Sequence, residues 1–244
     1  MKRVVIVQAR MTSTRLPGKV LLDLGGRPVL AQVLRRIRAM KEQDEIVVAT
    51  TTLASDDPVV KLAEREGVRW FRGDEADVLS RFVGAARESK ADLVVRITAD
   101  CPLIDSVESD RVVFELRANA SKADYASNIL RRTYPRGLDT EAFWVDTLNR
   151  VHRLGSSANS REHVTWYIYR ERPDLFMCHS VTDTVDNSDL RWTLDTSEDL
   201  EIIRQIYQGL SLSESLRPYR DILAYVRAHP ELVAINAGVV QKHS

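Results

Sequence analysis

Two groups of side chains in this 244-residue chain have the types and spacing to act on a phosphorylated ligand. The first is the run Arg10-Met11-Thr12-Ser13-Thr14-Arg15-Leu16-Pro17-Gly18-Lys19, which packs three cations, three small hydroxyl residues and a Pro-Gly pair into one loop. Cations neutralise phosphate oxygens, hydroxyls and amides donate to them, and Gly18 lets the backbone come close. The second is a pair of distant aspartates: Asp100, in Thr98-Ala99-Asp100-Cys101-Pro102-Leu103-Ile104-Asp105, and Asp195, in Leu190-Arg191-Trp192-Thr193-Leu194-Asp195. Mg²⁺ on a nucleotide takes one or two carboxylates and completes its shell with phosphate oxygens and water. Each aspartate also has a plain structural explanation. An Asp after a strand caps the next turn at least as often as it binds metal. Thr196 or Ser197, followed by Glu198 and Asp199, reads as an ordinary helix N-terminus. That N-terminus accounts for 197–199 and leaves Asp195 available.

Both groups need a scaffold that brings them together. Residues 4–7 form a short β-branched run that empties into the basic loop, as a buried strand would. Further strands are expected at 45–50, 68–71 and 93–98, and helices at 29–40, from Asp57-Pro58 to near Gly67, at 76–89 and at 107–118. Such alternation, with strands apolar throughout, predicts an α/β fold: a mostly parallel sheet with helices on both faces. Ligands in such sheets sit at the carboxyl ends of the strands, where the basic loop and Asp100 both fall. The second half is less regular. Strands are expected at 125–130, 141–145 and 176–181, and helices at 146–154, 160–169, 197–208 and 219–228. No repeat or linker divides the chain. A single domain over 1–244 is expected, with an excursion near 125–190 serving as a flap or subunit contact.

Composition narrows the partners. Lys and Arg total 35 and Asp and Glu total 35, so the chain lacks the overall basic field of a nucleic-acid binder. Cys101 and Cys178 form neither a disulfide framework nor a metal-ligand spacing. The first apolar run is too short for a signal-peptide core or a membrane span, and a cytoplasmic protein is expected. Arg35-Arg36 and Arg131-Arg132 read as solvated charge, and Trp166, Tyr167 and Tyr169 as core or interface aromatics.

Ala9-Arg10 with Ser13-Thr14-Arg15-Leu16-Pro17-Gly18-Lys19 resembles the signature loop of the sugar-acid cytidylyltransferases, the CMP-Kdo and CMP-sialate synthetases. The resemblance is strongest to the spore-coat polysaccharide biosynthesis cytidylyltransferase-like proteins. It extends over roughly residues 1–210, through the stretches 98–104, 134–141, 161–164 and 191–200. It implies a Rossmann-like nucleotidyltransferase fold that binds CTP with Mg²⁺. Arg10, Arg15 and Lys19 would contact the triphosphate, with Ser13 and Gly18 in the same loop. Ala9 and Arg10 lie where that loop approaches the base, and Asp100 and Asp195 would hold the metal. Arg15, Lys19 and Asp100 are the candidate catalytic groups. The resemblance also implies a homodimer. The chain departs from the CMP-Kdo synthetases after Asp100, where Cys101 stands in place of an acidic residue, and it has no clear match to their sugar-binding segments.

For the acceptor, Tyr134, Arg136, Asp139 and Glu141 are candidates, since an Arg there would hold a sugar carboxylate bidentately. A surface turn built by Pro135 and Gly137 accounts for the same stretch equally well. Asn128 would reach the ribose or the acceptor, or simply make a turn. The resemblance adds Glu162 and His163, although a lone helical His is more often packed and hydrogen-bonded than a base. The expected activity is transfer of CMP from CTP to an acidic sugar for a surface polysaccharide, with pyrophosphate leaving. Two alternatives remain at this point: a sugar-phosphate nucleotidyltransferase using another nucleotide, and a nucleotide-binding subunit without catalysis. A glycosyltransferase would carry an Asp-x-Asp pair after a strand, and Asp100 has no such partner.

Overall fold

The alternating apolar runs become the strands of one sheet in a computed structural model of the chain, which describes residues 1–240. In chain order the strands are β1 (Arg3–Gln8), β2 (Asp23–Leu24), β3 (Arg27–Pro28), β4 (Glu45–Thr51), β5 (Arg69–Gly73), β6 (Leu93–Thr98), β7 (Tyr125–Ser127), β8 (Glu141–Trp144) and β9 (Cys178–Ser180). The helices are α1 (Val29–Ile37), α2 (Asp57–Arg65), α3 (Val78–Glu88), α4 (Ser106–Ala118), α5 (Val145–Leu154), α6 (Ala158–His163), α7 (Ser197–Gly209), α8 (Tyr219–Ala228) and α9 (Pro230–Asn236). Seven strands share a sheet in the order β5-β4-β1-β6-β8-β7-β9, and β2 and β3 form a separate small hairpin. The ladders among β5, β4, β1 and β6 are parallel, and β8 alone runs against both of its neighbours. Region 125–190 thus supplies β7, β8 and β9 to the same sheet, on the far side of β6 from β1.

Side-chain alternation along β1 explains the two helical layers. Val5 and Val7 face a core built with Leu30, Val33 and Leu34 of α1 and Val112 and Leu116 of α4. Val4 and Ile6 face the opposite core, with Leu79 and Phe82 of α3 and Leu148 and Val151 of α5. A third cluster joins Trp192 and Leu194 to Ile203 and Ile206 of α7, Tyr219 and Val226 of α8 and Leu232 of α9.

Three local expectations differ from what the fold does. The helix expected at 160–169 stops at His163, because Val164 takes φ 55° and ψ −60°. Thr165 N–H then donates to the His163 carbonyl, closing a γ-turn of the rare positive-φ kind, which is strained for a β-branched residue. A π-helical turn, Tyr167–Glu171, follows. Asp57 is the first residue of α2, and Asp56 holds the cap position before it. The buried Asp56 carboxylate accepts from Met11 N–H at 2.7 Å and from the hydroxyls of Thr50 and Thr51, tying the basic loop to β4. Beyond α8 the chain makes a further helix, α9, opened by Pro230.

The segment holding Arg136 lies against the segment holding Arg191. Arg136 N–H donates to Leu190 O at 3.0 Å and Trp192 N–H to Arg136 O at 2.6 Å. Gly137 makes this possible: it has φ 102°, and a Cβ there would stand 2.5 Å from the Trp192 carbonyl carbon. Gly137→Ala therefore combines a disfavoured backbone conformation with a backbone clash. It should cost about 3 kcal/mol, read as a lower urea midpoint at unchanged slope.

Candidate active site

β1 and β6 are parallel neighbours, with Gln8 opposite Thr98, so the loops that follow them open side by side. Within the first, Gly18 adopts the left-handed conformation and its N–H donates to Met11 O at 3.0 Å, folding the basic loop back on itself. The turn presents Lys19, whose Nζ donates to Asp100 Oδ2 at 2.7 Å, to Asp195 Oδ1 at 2.8 Å and to Leu194 O at 2.8 Å. The loop and the two aspartates therefore meet at one ammonium, and Leu194 N–H, donating to Asp100 O at 2.8 Å, ties the two acidic segments by their backbones. Burial opposes the Lys19 charge, yet Asp100 and Asp195 outweigh it and hold the ammonium above the usual lysine range. Burial likewise opposes the Asp100 charge, and Lys19 with the Thr98 hydroxyl, 2.6 Å away, keeps its carboxyl below the usual range. Asp100 caps nothing; Asp105 caps α4.

Asp195 is held from the other side. Its Oδ2 pairs with Arg15 at 3.0 Å and with Arg191 at 2.8 Å. Arg191 also bonds both oxygens of Asp199, at 2.9 and 3.0 Å. Asp199, fully buried, completes the capping box of α7 with Thr196 and accepts from Asp195 N–H at 2.9 Å. The helix N-terminus is thus present as read, but it also orients Arg191 and Asp195, which the sequence reading left out.

These groups line one end of a cleft of about 630 Å³. Ala9, Arg10, Ser13, Arg15, Lys19, Asp100 and Asp195 line it, as do Arg136, Asp139, Glu162 and His163. Arg10 lies 3.8 Å from both Glu75 and Glu162, at the rim. Gly18 acts behind the wall, through its turn. Asn128 and Tyr134, expected at the acceptor, lie outside the cleft and are almost fully buried. Asn128 spends its amide on Leu138 O and Thr140 N–H, pinning the loop before β8. The Tyr134 hydroxyl donates to Glu108 at 2.6 Å, and its ring packs against Tyr219. Both are framework residues. Asp139 faces the cleft but is engaged by Arg132, in a bidentate pair at 2.7 and 2.8 Å. Burial keeps His163 below the usual histidine range, with Glu162 opposing.

The cleft also contains groups the sequence reading passed over. Arg132, read as solvated, is half of the Asp139 pair. Outside the cleft, Arg36, also read as solvated, is buried and donates to Ile104 O at 2.6 Å and Arg217 O at 2.9 Å. Arg96 pairs with Glu141 directly across the β6–β8 ladder, and the Glu141 carboxylate also accepts from the hydroxyls of Tyr125 and Thr165. Arg81 is buried in α3 with its Nε and Nη1 lacking acceptors among the described residues. Tyr169 lines the cleft as well, its hydroxyl pushed up to about 12 by burial and by Glu141. The signal was present for two of them: Arg96 interrupts the apolar strand 93–97, and Arg81 stands on the apolar face of a helix, where an unpaired charge is costly.

A mostly parallel α/β sheet with a cation-rich loop closing on two carboxylates at its carboxyl edge defines a nucleotidyltransferase of the Rossmann-like class. The chain belongs to the cytidylyltransferase family, whose sequence model matches residues 4–220. It is similar to a solved cytidylyltransferase from Leptospira borgpetersenii, at 32% identity over the whole of both chains and a TM-score of 0.90. It is 34% identical to the spore coat polysaccharide biosynthesis protein SpsF of Bacillus subtilis, over 83% of this chain and 85% of that one. It shares its fold with a CMP:2-keto-3-deoxy-manno-octonic acid synthetase solved with CTP, at 18% identity and a TM-score of 0.65, covering 86% of this chain and all of that one.

The Lys19 pairs set a pH dependence of stability. The Asp100 carboxyl is depressed in the fold, so its contribution is present above about pH 4 and lost as the pH falls through the folded value. Lys19 is raised, so its contribution is present below about pH 10 and lost as the pH rises through the folded value. Lys19→Met leaves two part-buried carboxylates without their shared cation, while Asp195 keeps Arg15 and Arg191. It should cost about 2 kcal/mol near neutral pH, with the difference in Tm from the parent narrowing outside that window.

Proposed function

We propose that this chain transfers CMP from CTP to the hydroxyl of an acidic sugar, releasing pyrophosphate, with Mg²⁺ as its metal, in the making of a surface polysaccharide. The observation that carries this reading is the convergence of Asp100 and Asp195 on one cation position beside the basic loop. Among the described residues no three His, Cys, Asp or Glu side chains group as a full metal cage. Two hard carboxylates suit Mg²⁺, which keeps its remaining positions for phosphate oxygens and water. Asp100 and Asp195 would hold it. Bound there, the ion supplies charge neutralisation at the phosphates and orientation of the attacking hydroxyl.

In the reaction the acceptor oxygen bonds to the α-phosphorus, the bond from phosphorus to the pyrophosphate oxygen breaks, and the hydroxyl proton is lost. Little covalent work falls to the protein, so positioning and charge stabilisation dominate. Lys19 and Arg15 lie where they stabilise charge growing on the leaving pyrophosphate. Arg81 lines the cleft, and its guanidinium would suit the O2 and N3 acceptors of cytosine, where uracil presents a donor at N3 instead. At the other end, Arg136 has no carboxylate within ion-pair distance among the described residues, and burial between Arg132 and Arg191 lowers its guanidinium from the usual range. A carboxylate on the acceptor would relieve that crowding. The spore coat relative is named for polysaccharide biosynthesis and the synthetase that shares the fold for a keto-deoxy sugar acid, which supports an acceptor of that kind.

Pyrophosphate release with Mg²⁺, each of the four ribonucleotides and a panel of sugar acids tests the assignment. CTP should be the preferred nucleotide, and turnover only with UTP, GTP or ATP would overturn it. Asp100→Asn and Asp195→Asn should each reduce turnover to background with the far-UV spectrum retained, and near-normal activity in either removes that residue from the site. Lys19→Ala should slow release on the order of 10²-fold. Arg81→Met should erode the preference for CTP over UTP while the Mg²⁺ requirement stays.

A further inference from the structure

The family match ends at residue 220, and α9 lies beyond it. We infer that α9 belongs to the working site: through Asn236, its last residue, it positions the carboxylate of Asp195. The inference rests on the reading of Asp195 as a metal-holding group.

The Asn236 side chain is buried, and its Nδ2 donates twice, to Asp199 Oδ1 at 2.9 Å and to the main-chain carbonyl of Arg191 at 3.0 Å. Both partners are acceptors only, so the orientation of the amide follows from chemistry. Asp199 in turn takes Arg191 Nε and Nη2, and Arg191 Nη2 reaches Asp195 Oδ2 at 2.8 Å. Each step from Asn236 to Asp195 is a charge-assisted bond in a largely buried setting, where a missing partner is costly. The amide also pins the backbone at Arg191, four residues before Asp195, where the chain pairs with Arg136. Asn236 therefore fixes both the charge that faces Asp195 and the strand that delivers it.

Docking of α9 does not need this residue. Leu232 is buried in the third core, with Val233 and Ile235 packed against it, and an apolar side chain at 236 would have added to that contact at no desolvation cost. An asparagine is required where its partners require it. Groups that orient a metal ligand from behind typically change metal affinity or activity 10- to 100-fold when removed.

The experiment compares Asn236→Ala, Asn236→Ser and Leu232→Ala with the parent in the full chain. Three quantities are read: Tm, the Mg²⁺ concentration for half-maximal pyrophosphate release, and Mg²⁺-dependent CTP binding by calorimetry. Asn236→Ala should raise the Mg²⁺ requirement and weaken Mg²⁺-dependent binding by about tenfold, with CTP binding in EDTA unchanged. Leu232→Ala should lower Tm at least as much and leave the Mg²⁺ requirement within about twofold. Asn236→Ser, which keeps a polar donor, should fall between and serves the same readouts if the alanine variant does not fold. A lowered Tm with an unchanged Mg²⁺ requirement in both Asn236 variants overturns the positioning role. Asp195→Asn, run alongside, separates the two failures. If it abolishes Mg²⁺-dependent binding while the Asn236 variants do not, only the role of α9 falls; if it binds as the parent does, the reading of Asp195 falls and the role of α9 with it.

Discussion

One ammonium group organises the catalytic edge of this protein. Lys19 Nζ lies between Asp100 and Asp195, which are held by different parts of the chain. Like charges so close and so shielded from water repel strongly; the lysine makes their proximity tolerable. Around it the fold adds further constraints. Asp56 anchors the basic loop to β4, Thr98 orients Asp100, and Arg15 and Arg191 hold the far oxygen of Asp195. The carboxylate pair is kept together by a side-chain cation, and the metal proposed for the site would take up the same electrostatic role between the two.

The rest of the cleft follows the same logic with the signs reversed. Arg96, Arg132 and Arg136 also line it. Two of them are neutralised within the protein, Arg96 by Glu141 and Arg132 by Asp139, while Arg136 has no such partner among the described residues. The internal pairs hold geometry, and Arg136 is the cation proposed to meet the acceptor. Hydrogen bonds across residues 136–192 link the acidic end mechanically to the basic one, and Gly137 permits the approach. The strained turn at Val164 fits the pattern, since it sends His163 to the cleft and Thr165 to Glu141 within three residues.

The parallel half of the fold was legible because its strands are buried on both faces and read as unbroken apolar runs, and because its loops carry turn chemistry in the chain itself. The meeting of Lys19 and Asp100 was legible for a related reason, since loops at the carboxyl ends of neighbouring strands have few places to go; Asp195 stands at the end of no strand of the sheet, and its place beside them came from the family resemblance. What stayed hidden depends on tertiary partners. Tyr134 and Asn128 look like site residues in a polar stretch, and only the positions of Glu108, Leu138 and Thr140 show them to be framework. Arg132 looks solvated until Asp139 folds back on it. The helix expected across 160–169 has the right periodicity, and Glu141, far away in sequence, draws Thr165 out of it. Asn236 offers no local sign at all, since its partners lie 37 and 45 residues away.

The single reversed strand has a consequence for how such a fold can diversify. Parallel strands bring their last residues to one edge, so the loops after β1 and β6 carry the groups proposed to meet the nucleotide. β8 runs the other way and brings its first residue, Glu141, to that edge. The chain that approaches it, residues 132–140, enters from outside those loops, and at positions 136 and 137 its backbone meets the segment that carries Asp195. Remodelling of that inbound stretch is most constrained where its backbone meets residues 190–192, since a change there would also shift the segment that carries Asp195.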